Sequence, residues 1–213
     1  VRPRTIANFI GQDHLIGPDK IINQMVSKNK YYSMILWGPP GSGKTTLARI
    51  IAKSSKSIIH EISAISSGVK DLRNIIDKAR ANNDNGVSSI IFIDEIHRFN
   101  KSQQDALLHA VEEGLIILIG ATTENPSFEV INPLLSRCKT LKLKPLNNDA
   151  LQMILNQSIK SDIILSQKNI DLDKSTQKKL IQYCGGDARK MLNTFEIALT
   201  LPHSFLMILL LMR

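Results

Sequence analysis

The chain has 213 residues, 43% of them hydrophobic, which predicts a globular, soluble protein with one large domain or a domain and a half and excludes a low-complexity polypeptide. Its formal net charge of +8 and isoelectric point near 9.5 suit an anionic partner such as nucleic acid, although a generic basic surface has the same composition. Aromatic residues make up only 5%, which leaves few side chains for stacking on bases.

The first predicted strand and helix enclose a phosphate-binding loop. The apolar run at residues 33–37 indicates a buried strand, and residues 46–52 indicate the helix that follows. The loop between them consists of Gly38, Pro39, Pro40, Gly41, Ser42, Gly43, Lys44 and Thr45, and the predicted helix begins at Thr46. An ordinary glycine-rich turn is the alternative, but glycines, a lysine and a threonine at this fixed spacing argue against it.

Each part of such a loop has a chemical role. Backbone N–H groups surround the phosphates, and the helix N-terminus adds its partial positive charge. Lys44 is expected to reach the β- and γ-phosphates, and the Thr45 hydroxyl is expected to hold Mg²⁺. The loop therefore predicts a nucleotide-binding protein.

Strands and helices continue to alternate after this loop. The predicted elements are a strand at 58–62, a helix at 69–80, a turn at 82–86, a strand at 90–93, a helix at 101–113, a strand at 115–119 and a strand at 140–143. The strand at 90–93 is apolar without alternation, so it must be covered on both faces. The pattern predicts an α/β fold with a five-stranded parallel sheet and ligands at its carboxyl edge.

The pattern becomes helical in the last third of the chain. Candidate helices at 149–159, 174–184 and 187–201 predict a small all-helical domain at residues 147–201, after a nucleotide-binding domain at residues 1–146. Asp187 is a predicted N-cap, directly after a Gly-Gly helix break. The apolar tail at residues 202–213 is too short for a membrane span. We expect it to pack on the core or to mark the truncation of a longer protein, and the lack of an initiator Met indicates the latter.

Polar residues stand at the ends of two predicted strands. Asp94 is expected to anchor Mg²⁺, and Glu95 to orient or deprotonate an attacking water; the alternative is a pair of solvated loop acids. The hydroxyl of either Thr122 or Thr123 is expected to contact the γ-phosphate or that water, unless the local backbone satisfies it. Arg137 and Arg189, taken alone, are surface arginines.

Other residue types give weaker signals. Cys138 and Cys184 fit no zinc or redox spacing, so we expect reduced, buried thiols in an intracellular protein. The five histidines show no ligand spacing. No long apolar region follows residues 1–4, so no signal peptide is expected. Lysines at 139, 142 and 144 suit either phosphate contacts or a solvated strand face.

The motifs together resemble a known family. The phosphate loop, the acidic pair, the polar strand end, Ser136-Arg137-Cys138 and the segment from Gly186 to Arg189 resemble, in this order, AAA+ ATPases of the clamp-loader branch. Within that branch the chain resembles the replication-associated recombination protein A family, whose eukaryotic relatives are the Werner-helicase-interacting ATPases. The resemblance runs from Arg2 to about Leu199. It is carried by RPRT (2–5), FIGQDHL (9–15), SGVKD (67–71), HRFNK (97–101) and ATTENPSF (121–128).

This resemblance implies ATP and Mg²⁺ as cofactors and assigns further roles. The adenine pocket would be lined by Arg2, Pro3, Ile10, Gly11 and Gln12. Thr123 would be the first sensor and Arg189 the second, in the helical lid. Arg137 would be the arginine finger that completes the site of a neighbouring subunit.

The resemblance also implies a function. The family's members are DNA-dependent ATPases at stalled or damaged replication forks, where they act on single-stranded or forked DNA with replication-machinery proteins. They assemble as homo-oligomers through a region beyond the lid. No membrane partner is implied. The implied localisation is cytoplasmic, at the nucleoid or replication fork, or nuclear in a eukaryote.

Three alternatives remain open. A clamp-loader or RuvB-like branch-migration ATPase shares the fold. Residues 100–104 and 124–128 favour the replication-associated recombination protein A family over both. A non-hydrolysing ATP-binding module is the second alternative, because we expect the oligomerisation region to be missing. A protein-unfolding subunit needs an apolar pore loop, and residues 65–68 are too small and polar for one.

Overall fold

The computed structural model describes residues 2–64, 68–161 and 173–200. Its contacts divide the chain into two compact units. Among the described residues, the sheet unit contains 3–38, 44–64 and 68–143, and the helical unit contains residue 2 and residues 39–43, 144–161 and 173–200. The apolar tail and residues 65–67, which belong to the segment considered too small and polar for a pore loop, lie outside the described residues.

A five-stranded parallel sheet forms the centre of the sheet unit, as predicted. Its strands are β1 (Met34–Trp37), β2 (Ile58–Ser63), β3 (Ser89–Asp94), β4 (Ile116–Thr122) and β5 (Lys139–Lys142). The strand order is β2-β3-β4-β1-β5. All pairs are parallel, so the carboxyl ends of the strands share one edge, where Asp94 lies in register with Ala121 and Trp37 with Thr122.

Helices cover both faces of this sheet. They are α1 (Asp13–Ile16), α2 (Ile21–Ser27), α3 (Lys44–Ser54), α4 (Val69–Asp84), α5 (Lys101–Glu112), α6 (Pro126–Glu129) and α7 (Asn132–Arg137). The first three pack with Leu36 on one face, and α4, α5 and α7 pack with Ile35 on the other. Neighbouring residues of β1 therefore enter different cores. This explains why the central strands are apolar without alternation.

The turn predicted after the helix at 69–80 is wrongly placed. The turn expected at residues 82–86 begins later, because α4 continues to Asp84. The Asn82 amide donates to Ser89 Oγ over 3.0 Å, and the Asn85 amide donates to the Ala81 carbonyl over 2.8 Å. The polar side chains that suggested a turn are thus satisfied around an extended helix end.

The helical unit contains α8 (Asn148–Ser161), α9 (Lys174–Cys184) and α10 (Ala188–Thr200), in line with the three candidate helices. The Asp187 carboxylate accepts a hydrogen bond from the Lys190 N–H over 2.9 Å, as an N-cap does. Asp173 caps α9 in the same way and accepts hydrogen bonds from Ser175 and Thr176. These hydrogen bonds lower the pKa of the Asp173 carboxyl group. Within the described ranges, no helix has the length and apolar character that a membrane crossing requires.

Both cysteines are free and buried, as expected. Burial raises the pKa of the Cys138 thiol to about 12, because the apolar surroundings disfavour the thiolate. The thiol next to Arg137 is therefore protonated at neutral pH and serves packing, not chemistry.

A buried glutamine ties α5 to the segment that joins α6 and α7. Gln104 Nε2 donates to the carbonyls of Phe99 (2.9 Å) and Glu129 (3.1 Å). Its Oε1 accepts from the Ile131 N–H over 2.9 Å. Gln104 thus satisfies three backbone groups in a part of the chain without regular hydrogen bonding.

We expect Gln104→Leu to lower the free energy of unfolding by about 2–4 kcal/mol, because leucine leaves these backbone groups without their partner in an apolar surrounding. Urea unfolding followed by the fluorescence of Trp37, the single tryptophan, measures the change. Gln24→Leu is the matched control, since the Gln24 amide donates a hydrogen bond to the Asp19 carbonyl at the exposed surface, where water can replace it. Equal unfolding midpoints for the two variants would contradict the role of Gln104.

Candidate nucleotide-binding site

The predicted phosphate loop lies between β1 and α3. The strand ends at Trp37, and the helix begins at Lys44. The Lys44 side chain is buried, and its Nζ donates to the Gly38 carbonyl over 2.8 Å. The ammonium group is therefore held at the start of the loop, and Thr45 and Thr46 occupy the first turn of α3.

The part of the loop that belongs to the helical unit leaves no room for a side chain at Gly41. Gly41 has φ +66°, and a Cβ there would overlap the carboxylate of Asp187. Ser42 Oγ donates to the Pro39 carbonyl over 2.8 Å. Asp187 precedes α10, and Arg189 is exposed in the first turn of that helix. Glycine at position 41 thus lets the loop approach the N-terminus of the helix that carries the predicted second sensor.

Thr45 and Asp94 meet in the sheet unit. Thr45 Oγ1 lies 3.5 Å and 3.3 Å from the two carboxylate oxygens of Asp94. No cluster of three His, Cys, Asp or Glu side chains that would suit a metal ion occurs in the described ranges. One hydroxyl and one carboxylate nevertheless suit Mg²⁺, which usually keeps waters and substrate phosphates as its other ligands. The residues present fit this ion.

Glu95 follows Asp94 in an unusual backbone conformation. Its φ of 56° lies in the left-handed region, and a 3-10 turn (Ile96–Arg98) begins after it. Thr123 Oγ1 lies 3.5 Å from Glu95 Oε2. The side chain of Glu95 is 29% exposed. Water can therefore reach the carboxylate, as a general base requires.

The two candidate threonines differ in their surroundings. Thr122 is fully buried, and its Oγ1 accepts from the Glu124 N–H over 3.0 Å and lies 2.9 Å from His97 Nδ1. Thr123 is only partly buried and approaches Glu95. The geometry thus favours Thr123 as the sensor.

His97 lies beside the candidate site residues Glu95 and Thr122, although the sequence analysis gave it no chemical role. It belongs to the HRFNK segment, which served only as a family signature. Its Nδ1 lies 3.2 Å from Glu95 Oε2 as well as near Thr122. Only the turn after β3 brings these side chains together.

Arg137 lies at the last position of α7, away from the loop residues in sequence and at the surface. It forms an ion pair with Glu112 of α5 over 2.5 Å. Its Nη1 also donates to the Pro133 carbonyl and to Ser136 Oγ. The side chain is 42% exposed. Arg137 is thus accessible to a second molecule, as a residue that acts on a neighbouring subunit must be.

The residues predicted for adenine lie before β1. Ile10 and Gly11 are partly buried and precede Gln12, which is buried with φ 63° at the start of α1. Pro3 is partly buried in the same unit, and Arg2 is exposed in the helical unit. Their role in binding the base stays a prediction.

Comparison with known proteins supports the same interpretation. The family described as "ATPase family associated with various cellular activities (AAA)" matches residues 34–146. The chain is 47% identical to replication-associated recombination protein A of Coxiella burnetii over 92% of the chain and 44% of that protein. It is 45% identical to the ATPase WRNIP1 of Dictyostelium discoideum over 93% of the chain and 23% of that protein. These relatives confirm the resemblance that the motifs predicted.

A solved structure shares the fold. The RuvB Holliday junction branch migration motor of Thermotoga maritima matches with a TM-score of 0.71 and 26% identity, over 92% of this chain and 64% of that one. The chain spans less than half the length of the two curated relatives.

Proposed function

The chain belongs to the AAA family of ATPases, and from this premise we propose that it is a DNA-dependent ATPase in replication-fork maintenance, recombination and DNA repair. The substrate is ATP with Mg²⁺, and the products are ADP and phosphate. The observation that carries the proposal is the convergence of Thr45, Asp94, Glu95 and Thr123 at the carboxyl edge of the sheet. The chain is 47% identical to a replication-associated recombination protein A and 45% identical to an ATPase WRNIP1. These identities support the proposed role in replication-fork maintenance and recombination.

The proposed mechanism assigns one step to each group. Backbone N–H groups of the loop and Lys44 bind the phosphates. Thr45 and Asp94 would hold Mg²⁺, which supplies neutralisation of phosphate charge when bound. Glu95 takes a proton from the attacking water, and Thr123 orients that water or the γ-phosphate. Arg137 acts on the site of a neighbouring subunit, and Arg189 is the proposed second sensor.

Positive charge supports DNA as the partner. The chain carries a net charge of +8, and Lys139 and Lys142 are exposed on β5, an edge strand of the sheet. Lysines placed this way bind phosphates without reading the base sequence. We therefore propose single-stranded or forked DNA as the ligand, with affinity that falls as salt rises.

Assembly and location are part of the proposal. We propose that the longer protein forms a homo-oligomer and works with replication-machinery proteins at the nucleoid or fork, or in the nucleus of a eukaryote. The greater length of the curated relatives and the surface position of Arg137 support this.

A branch-migration ATPase is the second candidate function, because the RuvB structure shares the fold. Its 26% identity is much lower than the 47% of the first relative, which favours the fork-maintenance proposal. A non-hydrolysing module remains the third candidate. Lys44, Asp94 and Glu95 are all present, which argues against a degenerate site.

ATP turnover across protein concentration, with and without forked DNA that carries a single-stranded gap, tests the proposal. We expect turnover to rise with both. ATP binding with flat, negligible turnover would support the non-hydrolysing module.

Lys44→Ala tests the phosphate-binding assignment. We expect ATP affinity to fall by about 10–100-fold, because the variant loses a charged hydrogen-bond donor to the phosphates. Titration with a fluorescent ATP analogue measures the affinity. Lys53→Ala, at an exposed position in the last turn of α3, is the matched control and should bind normally. Equal affinities for Lys44→Ala and the unmodified chain would refute the assignment.

A further inference from the structure

We propose that His97 is a positioning residue that fixes the orientation of the Glu95 carboxylate for hydrolysis. The proposal rests on the function proposed above, in which Glu95 acts on water. It adds a residue that has so far had no role in the site.

The backbone after β3 brings His97 back to Glu95. The left-handed conformation of Glu95 reverses the chain, and the Arg98 N–H then donates to the Glu95 carbonyl over 2.9 Å. This single turn carries the His97 ring toward the end of β4. Its Nδ1 lies 3.2 Å from Glu95 Oε2 and 2.9 Å from Thr122 Oγ1.

The hydrogen-bonding chemistry assigns the proton on the ring. An ionised carboxylate only accepts hydrogen bonds, so the ring nitrogen that faces Glu95 must carry hydrogen. Nδ1 makes its hydrogen bond with Thr122 Oγ1, and Glu95 Oε2 lies beside the same nitrogen at 3.2 Å. Thr122 is held in turn by the Glu124 N–H over 3.0 Å. Glu95 is thus connected through His97 to a fully buried residue of β4.

Two donors then converge on one carboxylate oxygen. His97 and Thr123 both approach Oε2 of Glu95. The side chain of His97 is only 16% exposed, so water weakens its electrostatic contact with the charged carboxylate only a little. Fixing Oε2 fixes the rotation of the carboxylate and leaves Oε1 to face an attacking water.

His97→Ala removes the donor, and His97→Asn restores an N–H group near the position of Nδ1. We expect His97→Ala to lower kcat by about 10-fold with ATP affinity within about two-fold of the unmodified chain, because positioning acts on the chemical step. His97→Asn should recover most of that loss. His109→Ala is the matched control, since the exposed His109 also faces a glutamate through Nδ1, at 3.8 Å from Glu112.

Two results would overturn the proposal. One is an unchanged kcat in His97→Ala. The other is a loss of kcat together with ATP affinity and the unfolding midpoint that His97→Asn does not recover, since this indicates a structural role only.

A second measurement separates this proposal from the proposed function. At alkaline pH, ¹⁵N NMR of the imidazole is expected to show that His97 is the Nδ1–H tautomer. The ¹⁵N signals of the His97 ring are expected to shift in the Glu95→Ala variant. This readout needs no turnover, so it tests the contact even if the chain does not hydrolyse ATP. An Nδ1 without hydrogen, or a ring that does not respond to Glu95→Ala, would overturn the positioning role.

Discussion

Glu95→Gln is expected to bind ATP with normal affinity while turnover falls by about 10²–10⁴-fold. Glutamine keeps the shape of the side chain and its contact distance to Thr123, but its amide cannot accept the proton of the attacking water. Asp94 and Thr45 are untouched, so the metal and phosphate contacts persist. Single-turnover hydrolysis and ATP titration, measured on the same preparation, separate the two effects.

Glu113→Gln is the matched control for this experiment. Glu113 pairs with Arg80 over 3.1 Å, and both side chains are exposed, so its loss should leave turnover unchanged. Glu95→Gln that keeps more than half of the turnover would show that another group activates the water. Loss of ATP binding in the same variant would mean that Glu95 contributes to the ground state.

The three central strands, β1, β3 and β4, were predictable because they are buried on both faces. Ile90, Ile91, Phe92 and Ile93 alternate between two cores, so every position is apolar, and the run stands out in the sequence. The phosphate loop was predictable for a different reason. Its glycines and lysine must occur at fixed spacing for the backbone to bind phosphates.

The fine geometry of the site was not predictable. The acidic pair is visible in the sequence, but the left-handed φ of Glu95 is not, because glutamate has no preference for that region. With this backbone conformation, the turn that follows places His97 Nδ1 3.2 Å from Glu95 Oε2. A local strain of this kind is stabilised by tertiary contacts, which residue patterns do not record.

Long-range side-chain pairs were equally hidden. Arg137 pairs with Glu112, and Gln104 binds the backbone of Glu129, the last residue of α6, and of Ile131, which precedes α7. Each of these contacts joins residues about 25 positions apart. Helical spacing places Glu112 and Gln104 on α5, but only the packing of α7 against that helix determines their partners.

Arg137→Ala is expected to lower turnover of an assembled protein by about 10³–10⁵-fold, as arginine fingers do in related phosphoryl-transfer systems. The reason is that the Arg137 guanidinium of one subunit stabilises the negative charge on the phosphate that is transferred in the site of the neighbouring subunit. ATP binding should change little. Arg49→Ala is the matched control, because Arg49 also pairs with a glutamate, Glu61, over 2.9 Å at the surface.

The decisive experiment mixes Arg137→Ala with Glu95→Gln. Each variant alone lacks a different half of the site, since one retains Glu95 and the other retains Arg137. In a head-to-tail assembly, an Arg137→Ala subunit next to a Glu95→Gln subunit has a complete site at their shared interface, and random mixing in equal amounts makes about one interface in four complete. Turnover should therefore recover to a similar fraction of the unmodified rate. No recovery, in an oligomer shown to contain both variants, would mean that Arg137 does not act across the interface, and its ion pair with Glu112 would then be purely structural.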